Sequence, residues 1–535
     1  MATPKRPNFL WISFEDTNPF YGCYGDPVAR TPHLDQLAEQ GCRWTRCFST
    51  APVCAPARSA VITGMYPIAI GTHHMRTMHT NPHTPELPTP YSAVVPHYVK
   101  CFTEYLRAVG YYCTNNAKTD YQFEPPLTAW DELGSEAHWR HRPDPEQPFF
   151  AVFNPIRTHE SGMWPENTPD LDFDPDAMLV PPTFPDTPKV RQALARMYTN
   201  IARSDQELGN LLQQLAEDGL AESTYVFHWS DHGPLPRGKR WPYDSGIHVP
   251  LIVRGPDLEA GHVSEDLVST IDLGPTLLSL AGIDIPSHMQ GRPFLGHPAQ
   301  PARPYIYATR DRYDEAYDMV RAVRDKRFKY IRHGRPDLPY LLWLPYRNQH
   351  PIMQELWRLH LAGELNEAQS LLFRPRPVEE LYDTDSDPYE IHNLASDPAY
   401  REALERLRHE LERWLQAVGD MGNMAESEMV RQWYPDGAQP QTAVPLFIPI
   451  SNDNLGIEPA SAEGSYQPPL RVHIHCATQG ASLAYTFDVG ESPHWLLYTQ
   501  PIPLAVGQYT LRARAIRIGY GESEEKIAQF TVKPA

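Results

Sequence analysis

The 535-residue sequence has little that would suit a membrane or a nucleic acid. No run approaches the roughly 20 apolar residues of a membrane-spanning helix. The opening MATPKRPNFLWISFED sets a basic flank before an apolar run that is too short for a secretory segment and is cut by Glu15 and Asp16; a cytoplasmic protein without a membrane partner is expected. Basic residues are in deficit, 47 Lys and Arg against 66 Asp and Glu, for a net charge of −19. That balance excludes a general nucleic-acid binder, which needs a basic face to neutralise phosphates, so an anionic substrate would need a local basic pocket. Cysteines are few and odd in number: the seven, Cys23, Cys42, Cys47, Cys54, Cys101, Cys113 and Cys476, form neither a disulfide framework nor a CxxC zinc pair.

What is present reads as two or three domains. Asn8 to Phe14, NFLWISF, is an apolar run of the kind buried in a parallel sheet, and Tyr225 to Trp229 is a second, ending in SDHG. Between them Leu194, Met197, Tyr198, Ile201, Leu208, Leu211, Leu212 and Leu215 keep the spacing of one buried helical stripe. The alternation predicts an α/β domain with a mostly parallel sheet over 1–334, whose ligands bind beyond the carboxyl ends of the strands. Glu15-Asp16 and Asp231-His232 both fall there. From Arg335 a proline- and aromatic-rich excursion leads to a helix over Tyr400–Val418 with Leu404, Leu407, Leu411 and Leu415 on one stripe, a smaller α+β subdomain. A wrapping linker is expected over Met421–Gly456, closing a segment of 335–455. Over 456–535 short alternating runs between Gly, Pro and Ser predict an all-β sandwich. Its pattern resembles the C-terminal module of chitobiases and many carbohydrate-active enzymes.

The stretch PVCAPARSA sets Cys54 in what reads as a tight, proline-stiffened turn, with Arg58 four residues on. CAPAR fits C-x-P-x-R, a weak signal alone. Its companions are ISFEDTNPFYGCYGD with TPHLDQLAEQGCRWTRCF, SDHG with RGKRWPYDSGIHVPLIVRGP, and RAVRDKRFKYI with EELYDTDSDPYEIHNLASDP, in that order. On these the chain resembles the type I sulfatases of the alkaline phosphatase superfamily over about residues 5 to 418. In texture GTHHMR and TNNAKTDYQF resemble the heparan N-sulfatase-like and other glycan sulfatases.

The resemblance implies an alkaline phosphatase-like fold and conversion of Cys54 to formylglycine by a maturation enzyme, its hydrated aldehyde supplying the nucleophile. It implies a divalent metal, calcium before magnesium or manganese, held by Asp16, Asp231, Glu15, His232 and the modified Cys54. Hard oxygen donors suit that ion. It assigns Arg58 to hold the nucleophile and ligands in register, Lys118 and Lys239 to the sulfate, and His159 to protonate the leaving oxygen. Two departures stand out at the metal: Glu15 and His232 replace the aspartate and asparagine of many relatives. A third is Asp120, where many have a histidine; Asp120 acting as base, His73 or His74 approaching instead, and Asp120 binding a substrate hydroxyl are left open. The expected substrate is a small sulfated sugar. The rival readings are a phosphonate monoester or phosphodiester hydrolase with the same nucleophile, and an unconverted glycan-binding protein. The excursion YLLWLPYRNQHPIMQELW walls the pocket, joins a homo-oligomer or packs the subdomain.

Overall fold

The computed structural model describes residues 6–296 and 300–534; residues 1–5, part of the basic flank read above, lie outside it. The chain forms two compact units. The first takes the stretch ending at Arg76, Thr80–Leu87 and Ala151–Met424; the second takes Thr77–His79, Pro88–Phe150 and the stretch from Ala425.

In the first unit the strands run, across the sheet, Phe149–Phe153, Asn8–Phe14, Thr224–Ser230, His248–Arg254, Cys42–Phe48 and His262–Ser264. The sheet is mixed and mostly parallel: Cys42–Phe48 lies parallel to both His262–Ser264 and Val268–Ser269, and His248–Arg254 is antiparallel to each neighbour. Asn8–Phe14 and Thr224–Ser230 are buried at every residue, which is why they read as unbroken apolar runs. They pair in parallel with Phe14 opposite Ser230, so Glu15-Asp16 and Asp231-His232 leave the sheet side by side. The predicted helix spans Pro188–Glu217, with Pro188 at its first turn and the Thr187 side chain accepting from the Val190 N–H.

An antiparallel sheet of Ile306–Arg310, Val320–Arg324, Phe328–His333 and Glu379–Asp383 completes this unit. Helix Arg401–Val418 lays Leu404, Leu407, Leu411 and Trp414 against Tyr307, Val323, Tyr330 and Leu381. Three strands of this sheet precede residue 335 and one follows, so the aromatic excursion is an insertion between its last two strands. It carries the helices Pro345–Asn348 and Pro351–Ala362.

The second unit carries the sandwich: one sheet of Leu446–Ile450, Leu470–His475 and Ile502–Leu504, and one of Glu463–Tyr466, Lys526–Val532, Gly507–Ile516, Ser482–Thr486 and Leu496–Leu497. Phe447, Val472, Ile502, Leu511 and Phe530 fill the space between. The linker expected over Met421–Gly456 is not one. It holds helix Glu426–Trp433 and the first sandwich strand, because Met429 is buried and the buried Glu426 accepts a 2.7 Å bond from the Tyr91 hydroxyl. Among the described residues no helix is long and apolar enough to cross a membrane, and no two of the seven cysteines are joined in a disulfide.

Candidate active site

Cys54 does not sit in a turn; it is the first residue of helix Cys54–Thr63, after Val53 in extended conformation. Pro56 falls in the first turn, where its missing N–H removes no helical bond. Ala55, Ala57 and Ala60 are small enough for the whole helix to be buried, and Cys54 is 2% exposed. Arg58, one turn on and so on the same face, donates from Nε to Asp231 Oδ2 (3.0 Å) and from Nη1 to Asn154 Oδ1 (3.0 Å). Its Nη2 is 3.7 Å from Glu15 Oε1.

Asp16 adopts φ +44°, a left-handed conformation costly for a residue with a side chain. Its N–H donates to Asp231 Oδ1 (3.1 Å), and the next N–H, of Thr17, donates to Ser230 Oγ (3.0 Å). These bonds aim its carboxylate at Cys54, whose Sγ lies 4.0 Å from Asp16 Oδ1 and 3.1 Å from His232 Nε2. Asp16, Cys54, Asp231 and His232 each offer a donor atom, all within 4.8 Å of one another and all buried. Glu15, expected as a further ligand, is buried beside Arg58 and is not among these four.

The donor set fits a divalent cation. His232 Nδ1 is 3.0 Å from the Gly233 carbonyl, and donating its proton there leaves Nε2 bare toward Asp16 Oδ1, 3.2 Å away. Two facing acceptors are reconciled by a cation between them. Charge agrees: the buried Glu15, Asp16, Glu160 and Asp231 face three buried cations, Arg58, Lys239 and Arg240. A thiolate suits a hard ion less well than oxygen does, so the set is complete when position 54 carries oxygen.

Lys239 and Arg240 come from a tight turn pinned to the Cys54 region by the Arg240 N–H, which donates to the Pro52 carbonyl (2.7 Å). The turn packs so closely that a Cβ on Gly238 would lie 2.1 Å from the Ser245 carbonyl oxygen. Lys239 Nζ donates to Asp16 Oδ2 (2.6 Å) and reaches Glu160 Oε1 (3.1 Å) and His159 Nε2 (3.4 Å). Burial alone would lower the Lys239 pKa, but Asp16 and Glu160 outweigh it and raise it, keeping the ammonium charged. Burial likewise opposes ionisation of Asp16, and the Lys239 ammonium beside it holds its pKa below the usual range. Glu160 takes Arg240 in a fork at 3.0 and 2.7 Å while its own N–H donates to Asp16 Oδ2 (2.7 Å). His159 Nδ1 lies 2.8 Å from Ser161 Oγ and accepts from the Ser161 N–H (3.4 Å), which turns Nε2 toward Lys239.

His73 and His74 are buried with their rings 4.1 Å apart; His74 Nδ1 accepts from the Arg312 N–H (3.3 Å), and burial keeps its pKa well below the usual range. Neither belongs to the four-donor group. Lys118 and Asp120 lie in the second unit, 3.6 Å from each other. Asn154, Glu160 and Arg240 were not anticipated, although Glu160 and Arg240 each adjoin a residue that was. Tyr346, within the excursion for which walling the pocket is one of the readings above, lies 6.4 Å from the His159 ring, with the Arg76 guanidinium 4.9 Å over its face.

The sulfatase family profile matches residues 7–123 and 131–283, and the profile of the N-sulphoglucosamine sulphohydrolase C-terminal region matches 232–342. An ulvan-active sulfatase of Formosa agariphila is 43% identical over 98% of this chain and 91% of its own. Human N-sulphoglucosamine sulphohydrolase is 29% identical over 84% of this chain and 96% of its own. Among solved structures, a protein in complex with its substrate D-glucosamine-2-N,6-O-disulfate shares the fold at TM-score 0.56 and 17% identity, covering 79% of this chain and all of the other.

Proposed function

Because the chain belongs to the sulfatase family and is a sulfuric ester hydrolase, we propose that it removes sulfate from a sulfated carbohydrate through a formylglycine made from Cys54. The observation that carries this is the buried Cys54 side chain at the meeting point of Asp16, Asp231 and His232, with Arg58 behind it and Lys239 beside it. The carbohydrate class is supported by the whole-chain relative, which is ulvan-active, and by the human relative, which acts on N-sulphoglucosamine. Both are named sulfatases, which favours sulfate over phosphonate.

Asp16, Asp231, His232 and the modified residue 54 would hold the cation, with calcium our preferred ion for its oxygen donors. When bound, that ion supplies positive charge to sulfate oxygens and to a nearby hydroxyl. The chain's own groups do the rest. A hydroxyl of the hydrated aldehyde at residue 54, giving its proton to the facing Asp16 carboxylate, forms the new bond to sulfur as the sulfur–oxygen bond to the sugar breaks. His159 gives its Nε2 proton to the departing oxygen. Lys239 stabilises the sulfate oxygens. His159, now without its Nε2 proton, takes the proton of the second hydroxyl, which re-forms the carbonyl and releases sulfate with the electrons of the cleaved carbon–oxygen bond. Water adds back to the aldehyde.

The test is a peptide mass across Pro52–Arg58 from protein made in its native host, with turnover of 4-nitrophenyl sulfate, sulfated sugars and phenyl phosphonate. Formylglycine with preference for sulfate is expected. Unmodified cysteine in an active preparation, or faster phosphonate turnover, would overturn the proposal.

A further inference from the structure

Arg347, in helix Pro345–Asn348, is 1% exposed, yet among the described residues no carboxylate forms an ion pair with it. Its Nη2 donates to the Leu342 carbonyl (2.7 Å) and Asn348 Oδ1 (3.4 Å), while Nε and Nη1 are buried with no acceptor. An uncompensated buried charge is costly, and a native structure keeps one for a reason. The acids nearby are already committed. Glu160 serves Arg240 and Lys239, Asp314 serves Arg76 at 2.6 Å, and Asp318 lies between Arg310 (3.3 Å) and Arg376 (2.6 Å). With Asp16, which also pairs with Lys239, four carboxylates thus face five cations, and Arg347 adds a sixth. Burial first, then repulsion from Arg240 and Arg310, brings its pKa down to about 9, so it stays charged at neutral pH.

His350, one turn further, repeats the pattern. Its Nδ1 accepts from the Ile352 N–H (3.1 Å), so Nε2 carries the proton, and that nitrogen too is buried without an acceptor. It lies in the field of the same Glu160 and Arg240. The residue before Arg347 is Tyr346, whose ring neighbours His159. A local surplus of buried donors and positive charge in a chain of net charge −19 is therefore built next to the catalytic acid.

We propose that Arg347 and His350 form an anion subsite, separate from the sulfate-cleaving centre, that takes a second anionic group of the substrate or a free small anion. Each free guanidinium N–H suits one oxygen of a carboxylate or sulfate, and a halide has the same need for N–H donors. The substrate half rests on the carbohydrate reading above.

The test has two arms. Crystals of the active protein grown in sodium bromide are expected to show an anomalous peak in hydrogen-bonding reach of Arg347 Nε or Nη1, absent from Arg347→Met. In chloride-free buffer, methyl esterification of a sulfated disaccharide bearing a free carboxylate is expected to lower kcat/KM at least about tenfold in the wild type. The ester effect should fall below about twofold in Arg347→Met, with 4-nitrophenyl sulfate turnover unchanged. The ester effect assigns the site to substrate; the bromide peak alone assigns it to a free anion. Neither effect, or an equal loss on 4-nitrophenyl sulfate in Arg347→Met, overturns the subsite, and the two wild-type measurements decide if that variant does not fold. A wild type that turns over no sulfate ester would instead defeat the carbohydrate reading, leaving the bromide arm to decide.

Discussion

Glu160 shows how much one side chain can organise. It holds the Arg240 guanidinium in a fork, reaches Lys239, and ties its own backbone to Asp16. Glu160→Gln leaves two buried cations short of a partner, which costs about 3–5 kcal/mol, and lets Lys239 drift from the reacting sulfate, lowering kcat about a hundredfold. Denaturation midpoints and steady-state kinetics check both. The exposed pair Arg335–Asp337 has equally short contacts, 2.9 and 2.7 Å, yet Arg335→Gln should change neither quantity, because water screens it. The acid excess of the centre gives a second expectation. Chelating divalent ions should lower the thermal midpoint, and added calcium should restore it in the wild type but not in Asp231→Asn. A midpoint indifferent to chelation would count against the cation assignment.

Among elements, the long helix Pro188–Glu217 steadies helix Pro32–Glu39 through Asp205, whose carboxylate accepts the N–H groups of His33 (3.2 Å) and Leu34 (2.8 Å). Burial raises the Asp205 pKa to about 6, more than those two bonds lower it. The folded state therefore binds a proton that the unfolded chain releases near pH 4. This group's contribution is present below that pH and is lost as pH rises through about 6, by about 3 kcal/mol. Thermal midpoints across pH 4–7 should show Asp205→Asn gaining on the wild type as pH rises; parallel profiles would contradict the assignment. The element scale is also where the sequence was most readable. Asn8–Phe14 is legible to the residue because it is buried on both faces, and the helix is legible over 190–215, two residues short of Pro188–Glu217 at each end, because its stripe is regular. Glu426–Trp433 was missed because Pro, Asn and Gly around it outweighed one short turn of buried Met and Glu. Cys54 was misplaced in a turn because Pro56 reads as a breaker, although a proline in the first turn breaks nothing. The centre was legible where residues fall at strand ends or inside CAPAR, while Tyr346 and Arg347 are brought in by an insertion whose composition does not indicate where it packs.

For the molecule as a whole, the sandwich is not a bead on a string within its own unit. Lys100 Nζ donates to the Gly480 carbonyl (2.6 Å) and Ser482 Oγ (2.7 Å), Arg107 to the Trp495 carbonyl (2.6 Å), and the Tyr434 hydroxyl to the Ser92 carbonyl (3.1 Å). Deleting the chain from residue 425 strips partners from 88–150 and is expected to give insoluble protein. A soluble, fully active truncation would show the module to be dispensable.

The burial of Cys54 has a consequence in time. Its helix contributes Ala60 to a core that includes Leu381, Leu404 and Trp414, residues the ribosome delivers several hundred positions later. At roughly 5–20 residues per second that interval lasts on the order of tens of seconds. A thiol 2% exposed in the finished fold offers a modifying enzyme no grip, so the proposed conversion to formylglycine would belong to the nascent chain. Active protein is then set by a race between translation and maturation, and slowing synthesis should raise the converted fraction.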